Sequence, residues 1–168
     1  MPYSIKITAL TAIVLIVQLS VMDVYNYNLV HDNLVALLVV AVAFKVGPVR
    51  GATFGFVAGL IYGLFSTTIY GTSSLEFVLL GFVAGRSSNL NIFDNFLVKS
   101  VFAGILTSIA AVFVVIFLKL LDQATDIDSA TVNLLLVNFV ANTLLYLPME
   151  KLTGGFVANS NDATQSVL

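Results

Sequence analysis

The chain has 168 residues, of which 59% are hydrophobic and only 10% charged, and its net charge is -2. Soluble domains carry about 25% charged residues, so this composition excludes an ordinary soluble domain and indicates an integral membrane protein. The absence of cysteine excludes disulfides, thiolate nucleophiles and cysteine metal sites. Since one helical span needs roughly 20 residues, five or six spans use nearly the whole chain as a single transmembrane domain.

Six apolar segments follow one another and predict an all-α bundle of transmembrane helices. They are residues 5–22, 30–44, 48–66, 72–86, 97–121 and 131–149. The first segment also has features of a signal peptide, but no small-residue cleavage site follows it, so a retained helix is expected. The second segment is short and opens with the polar run His31, Asp32 and Asn33. Residues 152–168 are expected to form a flexible cytoplasmic tail.

Basic residues favour six spans with both termini in the cytoplasm. In this order all lysines and arginines except Lys119 fall at cytoplasmic helix ends, as the positive-inside rule predicts. They are Lys6, Lys45, Arg50, Arg86, Lys99 and Lys151. The acidic segment from Asp122 to Asp128 then lies on the outer side, together with Asp23. A five-span order is disfavoured because it moves half of the basic residues outside.

Glycine recurs at every fourth position of the third segment, at Gly47, Gly51, Gly55, Gly59 and Gly63. In a soluble helix each interior glycine would cost up to about 1 kcal/mol relative to alanine. In lipid the backbone must keep its hydrogen bonds, so the helix persists and its glycine face lets another helix approach closely. Gly81 and Gly85 give the fourth segment a similar face. We expect the two faces to pack as an antiparallel pair; the alternative is a groove for a separate protein's helix.

Polar residues inside the predicted spans are few, and none forms a recognised catalytic or metal-binding pattern. His31 is the only histidine and lies at a predicted outer boundary, so neither an enzyme nor a metal site is expected. Glu76 is a candidate functional group because it is an acid inside a span, although it lies only about one turn from the helix end. Asn138 and Asn142, one helical turn apart, predict interhelical hydrogen bonds or, alternatively, a ligand contact.

Several pieces of the sequence together resemble the rod shape-determining protein MreD family of bacteria. They are the run KVGPVRGATFGFVAGL from Lys45 to Leu60, residues 64–66 and 70–72, and LGFVAGR from Leu80 to Arg86. The whole chain is similar in layout, and the resemblance is specific from His31 to Arg86. The family commonly has an aspartate three residues after the leucine of its third helix, where this chain has Gly63. The role of that acid in relatives is therefore not carried over.

This resemblance implies a non-enzymatic subunit of the cell-elongation complex in the bacterial cytoplasmic membrane, without a cofactor. The implied partners are MreC, the peptidoglycan synthase formed by RodA and a class B penicillin-binding protein, and MreB; a homodimer is a further alternative. The implied role is to help regulate peptidoglycan synthesis and cell shape. The groove at Gly51, Gly55 and Gly59 would then seat a helix, either its own neighbour or the helix of MreC.

A competing interpretation is the substrate-binding S-component of an energy-coupling-factor vitamin transporter. Those proteins are small six-helix bundles, and the MreD family is similar to them in layout. An S-component needs several polar groups around an internal pocket. For such a pocket the sequence offers Glu76, Asn138, Asn142 and Tyr70.

Overall fold

The computed structural model describes residues 34–65, 71–88, 90, 95–120 and 129–165, together with Thr11, Ile13, Val14, Ile16 and Gln18. Every regular element in these residues is an α-helix, which confirms the predicted all-α class. The five helices are α1 (Leu34–Val46), α2 (Pro48–Phe65), α3 (Thr72–Ser87), α4 (Phe96–Leu120) and α5 (Ser129–Gln165). The five single positions before α1 are helical as well.

Helices α1 to α4 begin and end close to the bounds predicted for the second to fifth segments. Pro48 is the first residue of α2, where its missing N–H costs nothing and its fixed φ suits the first turn. Most of the first predicted segment lies outside the described residues. So do Lys6, Asp23, the run from His31 to Asn33, Tyr70 and the acidic segment Asp122–Asp128.

Helix α5 is longer than the sixth predicted segment and continues to Gln165. The segment from residue 152 to Gln165, which was expected to belong to a flexible tail, is therefore helical. Pro148 does not end the helix, although it removes one backbone donor, because membrane helices tolerate proline where neighbouring groups compensate. Met149 and Thr153 are buried, so the turn after the proline is packed against the bundle. Extending such a turn costs less than starting a new helix.

Helix α1 is the centre of the bundle. Residues 35–43 are at most 2% exposed, and α1 contacts all four other helices. Such a position suits a helix that is apolar all round, as lipid also does. The 13 residues of α1 that the structure describes span about 20 Å. Helix α1, which corresponds to the second predicted segment, is therefore the most enclosed of the described helices.

The helical positions before α1 pack against it on one face. Thr11, Val14 and Gln18 are buried, whereas Ile13 and Ile16 are exposed. The Gln18 Oε1 atom accepts a hydrogen bond of 3.2 Å from the backbone N–H of Val35. This contact satisfies one of the donors that the first turn of a helix leaves unpaired, which matters inside an apolar bundle.

Basic residues of four helices meet at one end of the bundle. Lys45 closes α1 and Lys99 opens α4, and both ammonium groups contact Glu150 of α5. Arg50 and Arg86 lie at the same end, because the end of α3 packs against the start of α2 at Pro48. Lys119 lies in the last turn of α4, at the opposite end. This arrangement agrees with the distribution of charge that the positive-inside rule predicts.

The outward faces of the described helices are apolar. Two helical stretches, Pro48–Phe65 and Phe96–Phe117, are long and apolar enough to cross a membrane, and α1 is a shorter apolar helix. On α4 the exposed side chains include Val101, Ile105 and Ile109. Soluble monomers rarely expose continuous apolar surfaces of this extent, so these faces fit contact with lipid. The full count of six spans stays a prediction.

Gly47 alone links α1 to α2 and has a positive φ of 86°. We expect Gly47→Val to lower the unfolding free energy by about 1–2 kcal/mol, because the left-handed region is strained for residues with a Cβ. Gly47→Asn should cost less, because asparagine enters this region more readily. Among the described residues a Cβ at Gly47 would meet nothing within 4 Å, so the expected loss comes from the backbone conformation. Thermal unfolding of the purified variants in one detergent measures the difference; equal stabilities would contradict the argument.

Candidate functional site

The glycine faces of α2 and α3 meet directly. Among the described residues, these two helices share the most extensive contact of any helix pair. A Cβ on Gly51 would lie 2.7 Å from the carbonyl oxygen of Gly81. A Cβ on Gly59 would lie 2.5 Å from the Cα of Ser74. Since real side chains do not come this close to a backbone, only glycine fits at these positions. The antiparallel pair predicted from the sequence is thus present, with backbone against backbone.

The same register continues on both sides of Gly51. A Cβ on Gly55 would overlap the carbonyl group of Phe77, and a Cβ on Gly85 would lie 2.5 Å from the carbonyl carbon of Gly47. Each step of four residues forward on α2 therefore meets a step of four residues back on α3. This regular register is what two glycine ridges at four-residue spacing produce.

Helix α1 closes the remaining side of the glycine face. A Cβ on Gly51 would lie 2.6 Å from the Cβ of Ala43, and one on Gly55 would lie 3.2 Å from Val39. The groove from Gly51 to Gly59 is therefore filled by α3 and α1 of the same chain. A helix from another protein would have to displace α3 before it entered this groove.

The two outer glycines of the predicted ladder differ from the three inner ones. Gly47 lies outside the helices and packs through its backbone against Gly85. Gly63 lies in α2 and is buried, but a Cβ there would meet no atom within 4 Å among the described residues. Among the described residues, Gly63 is therefore the one helical glycine of the series at which a Cβ meets no close neighbour.

Asn138 and Asn142 form part of a polar contact between α4 and α5. The Asn142 Nδ2 atom donates to Thr107 Oγ1 of α4 at 3.0 Å and to Asn138 Oδ1 at 2.8 Å. Close by, the Ser100 hydroxyl of α4 donates to the backbone carbonyl of Thr143. Asparagine pairs of this kind hold membrane helices together at about 0.6 kcal/mol per hydrogen bond. The interhelical hydrogen bond expected from their spacing is present.

Glu76 belongs to a different polar group, between α2, α3 and the segment before α1. Its half-buried carboxylate lies near Tyr62 of α2, whose hydroxyl hydrogen-bonds to the Gln18 side chain. The described residues place Glu76 in this group and Asn138 and Asn142 in the other. The described contacts therefore do not join these three residues to one another, and the pocket expected of an S-component stays a prediction.

An ionic cluster at the basic end joins three helices, and the sequence alone did not reveal it. Lys45 of α1 donates to the Glu150 carbonyl oxygen at 3.3 Å and to Thr153 Oγ1 at 3.0 Å. Lys99 of α4 forms an ion pair of 3.2 Å with Glu150 Oε1. These contacts attach α5 to α1 and α4. The sequence held one signal for this cluster. Glu150 is an acid just after the sixth predicted segment, on the side of the membrane where the basic residues are expected.

The polar residues of the site make contacts within the protein. Within the described residues no three histidine or acidic side chains come together as a metal site requires. Arg50, Arg86 and Lys151 are exposed at the basic end and make none of these contacts. Some described polar side chains, such as Asn142, connect two helices, and others, such as Thr53, bond to the backbone of their own helix.

Comparison with known proteins supplies one match. The sequence profile of the family described as rod shape-determining protein MreD matches residues 3–154. No curated protein matches, and no solved structure matches. The match covers most of the chain and confirms the resemblance found in the glycine-rich segments.

The glycine contact predicts a position-dependent effect of one substitution. We expect Gly55→Ala to lower the unfolding free energy by about 1–3 kcal/mol, because its Cβ would overlap the Phe77 backbone, which cannot rotate away. Gly63→Ala is the matched control in the same helix, and it should be neutral or slightly stabilising. Thermal unfolding in detergent measures both variants. Equal losses at the two positions would contradict the observed packing.

The ionic cluster predicts a coupling between α4 and α5. Glu150→Gln should cost about 1–3 kcal/mol, since it leaves Lys99 without its partner while water still reaches both groups. Lys151→Gln, an exposed charge at the next position, is the control and should have little effect. Combining Glu150→Gln with Lys99→Met should cost less than the two separate losses added together. Strict additivity in this double-mutant cycle would show that the ion pair contributes nothing.

Proposed function

We propose a role in bacterial cell elongation for this chain, which belongs to the rod shape-determining protein MreD family. The family is one of membrane proteins that determine cell shape, and the match over residues 3–154 is the observation that carries the proposal. In this role the chain is a non-enzymatic subunit of the rod complex. It acts by binding other membrane proteins, so it needs neither a cofactor nor a reacting side chain.

The proposed partners are MreC, the synthase pair of RodA with a class B penicillin-binding protein, and MreB on the cytoplasmic side. Binding of MreC next to the bundle would help regulate peptidoglycan synthesis. The proposed location is the cytoplasmic membrane, with six spans and both termini inside. The apolar outward faces and the gathering of basic residues at one end support this orientation.

The filled glycine groove bears on how MreC would bind. Gly51, Gly55 and Gly59 contact α3 and α1 of the same chain, so their proposed role is to fix the shape of the bundle. MreC would then recognise the outside of that bundle. A glycine variant would then bind less MreC only in proportion to the fraction of the chain that no longer folds.

Pull-down from native membranes tests the proposed function. The tagged chain should recover MreC and RodA, identified by mass spectrometry, and cells depleted of the chain should lose their rod shape until it is restored. Recovery of MreC by Gly55→Ala should fall in proportion to the loss of folded protein, while Gly63→Ala should recover as much MreC as the unmodified chain.

A different result would overturn the proposal. If MreC and RodA are absent from the pull-down, and the purified chain binds thiamine, riboflavin, biotin or folate with nanomolar affinity, the protein is a transport subunit. Normal rod shape in depleted cells would likewise argue against a role in elongation. Because both readouts concern the unmodified chain, a folding defect in a variant does not affect them.

A further inference from the structure

Three buried polar atoms on α5 have no hydrogen-bond partner among the residues that the structure describes. They are Asn142 Oδ1, Tyr146 Oη and Glu150 Oε2. Asn142 is 1% exposed and Tyr146 is fully buried, so bulk water does not solvate these two groups directly. Two further atoms of this kind, in Thr72 and Ser74, belong to the first turn of α3. Unpaired buried polar atoms are costly and uncommon, and three on one helix call for an explanation.

The three atoms belong to one seam, where α5 meets α1 and α4. Their residues are four positions apart, so successive side chains lie on nearly the same face and about 6 Å apart along the axis. Asn142 is hydrogen-bonded to Thr107 of α4, and Glu150 is paired with Lys99 of α4. Between them the Tyr146 ring packs edge-on against Phe44 of α1, with 6.4 Å between ring centroids. We call this set, Asn142, Tyr146 and Glu150, the α5 seam.

We propose that the α5 seam binds a file of water molecules that runs from Glu150 at the basic end to Asn142 inside the bundle. A water molecule that makes two hydrogen bonds of about 2.8 Å joins groups about 5.6 Å apart, and four residues of helix advance the backbone by about 6 Å. Water also donates and accepts, so it satisfies the two acceptor oxygens of Asn142 and Glu150 and the hydroxyl between them.

The charge of the site distinguishes water from ions. A metal cation would be repelled by the ammonium groups of Lys45 and Lys99, both of which contact Glu150. An anion would face the oxygen atoms of Asn142 and Glu150, which offer no hydrogen. A neutral molecule with both donor and acceptor capacity fits, and only a small one fits between closely packed helices.

The Glu150 end of the α5 seam is the end nearest to solvent. The side chains of Lys99 and Glu150 are 25% and 16% exposed, whereas Tyr146 is fully enclosed. Exchange with the surrounding water is therefore expected to begin at Glu150 and to proceed through Tyr146 to Asn142. The Asn138–Asn142 hydrogen bond lies at the inner end of the file.

Solid-state NMR on the complete protein in lipid bilayers tests the file. Transfer of magnetisation from water should reach the Tyr146 ring and the Asn142 side-chain amide. Phe77 is the control, because it is an aromatic residue that is equally buried but has no polar atom. Transfer to Tyr146 that is as slow as transfer to Phe77 would show that the α5 seam is dry and would overturn the proposal.

Tyr146→Phe tests whether the file is continuous. The variant removes only the central hydroxyl, so it should abolish transfer from water to Asn142 and leave transfer to Glu150 intact. It should also lower the melting temperature, because the water molecules on either side lose a partner. A raised melting temperature, or unchanged transfer to Asn142, would show that the hydroxyl is not part of a file. Both outcomes are independent of any binding to MreC.

Discussion

The backbone contact between α2 and α3 is the constraint on which the rest of the bundle depends. In lipid, apolar side chains gain little by leaving the surrounding hydrocarbon, so helices associate through close packing and hydrogen bonds. Gly51, Gly55 and Gly59 permit that packing because a Cβ at any of them would overlap a neighbour. The same face receives Ala43 and Val39 of α1. One row of glycines thereby fixes the positions of three helices.

The second half of the bundle is joined by polar contacts together with one close glycine contact. Asn142 binds Thr107 in the interior, and Lys99 and Lys45 contact Glu150 at the basic end. Such contacts are directional, so they fix the rotation of α5 relative to α4 and α1. Both means available to a membrane bundle meet between α4 and α5, because Gly104 packs closely against Thr143 near the Asn142–Thr107 hydrogen bond.

The sequence predicted local features well, but it predicted less well which distant helices contact one another. Glycine spacing and Pro48 defined α2 and its antiparallel contact with α3, and the spacing of Asn138 and Asn142 predicted their hydrogen bonds. The central position of α1 was not predicted, because lipid and protein interior are both apolar and leave no amphipathic pattern that tells them apart. The ion pair of Glu150 with Lys99 depends on how distant segments are rotated, which one sequence does not reveal. The extension of α5 beyond Pro148 depends on packing around Met149 and Thr153.

The single-residue link at Gly47 has a consequence for how the protein is made. With no loop between them, α1 and α2 form a hairpin whose turn lies at the basic end, between Lys45 and Arg50. Both helices of this hairpin also contact α3, the next helix of the chain. During synthesis the ribosome therefore releases the hairpin before its third partner, and the glycine face of α2 stays uncovered until α3 packs against it.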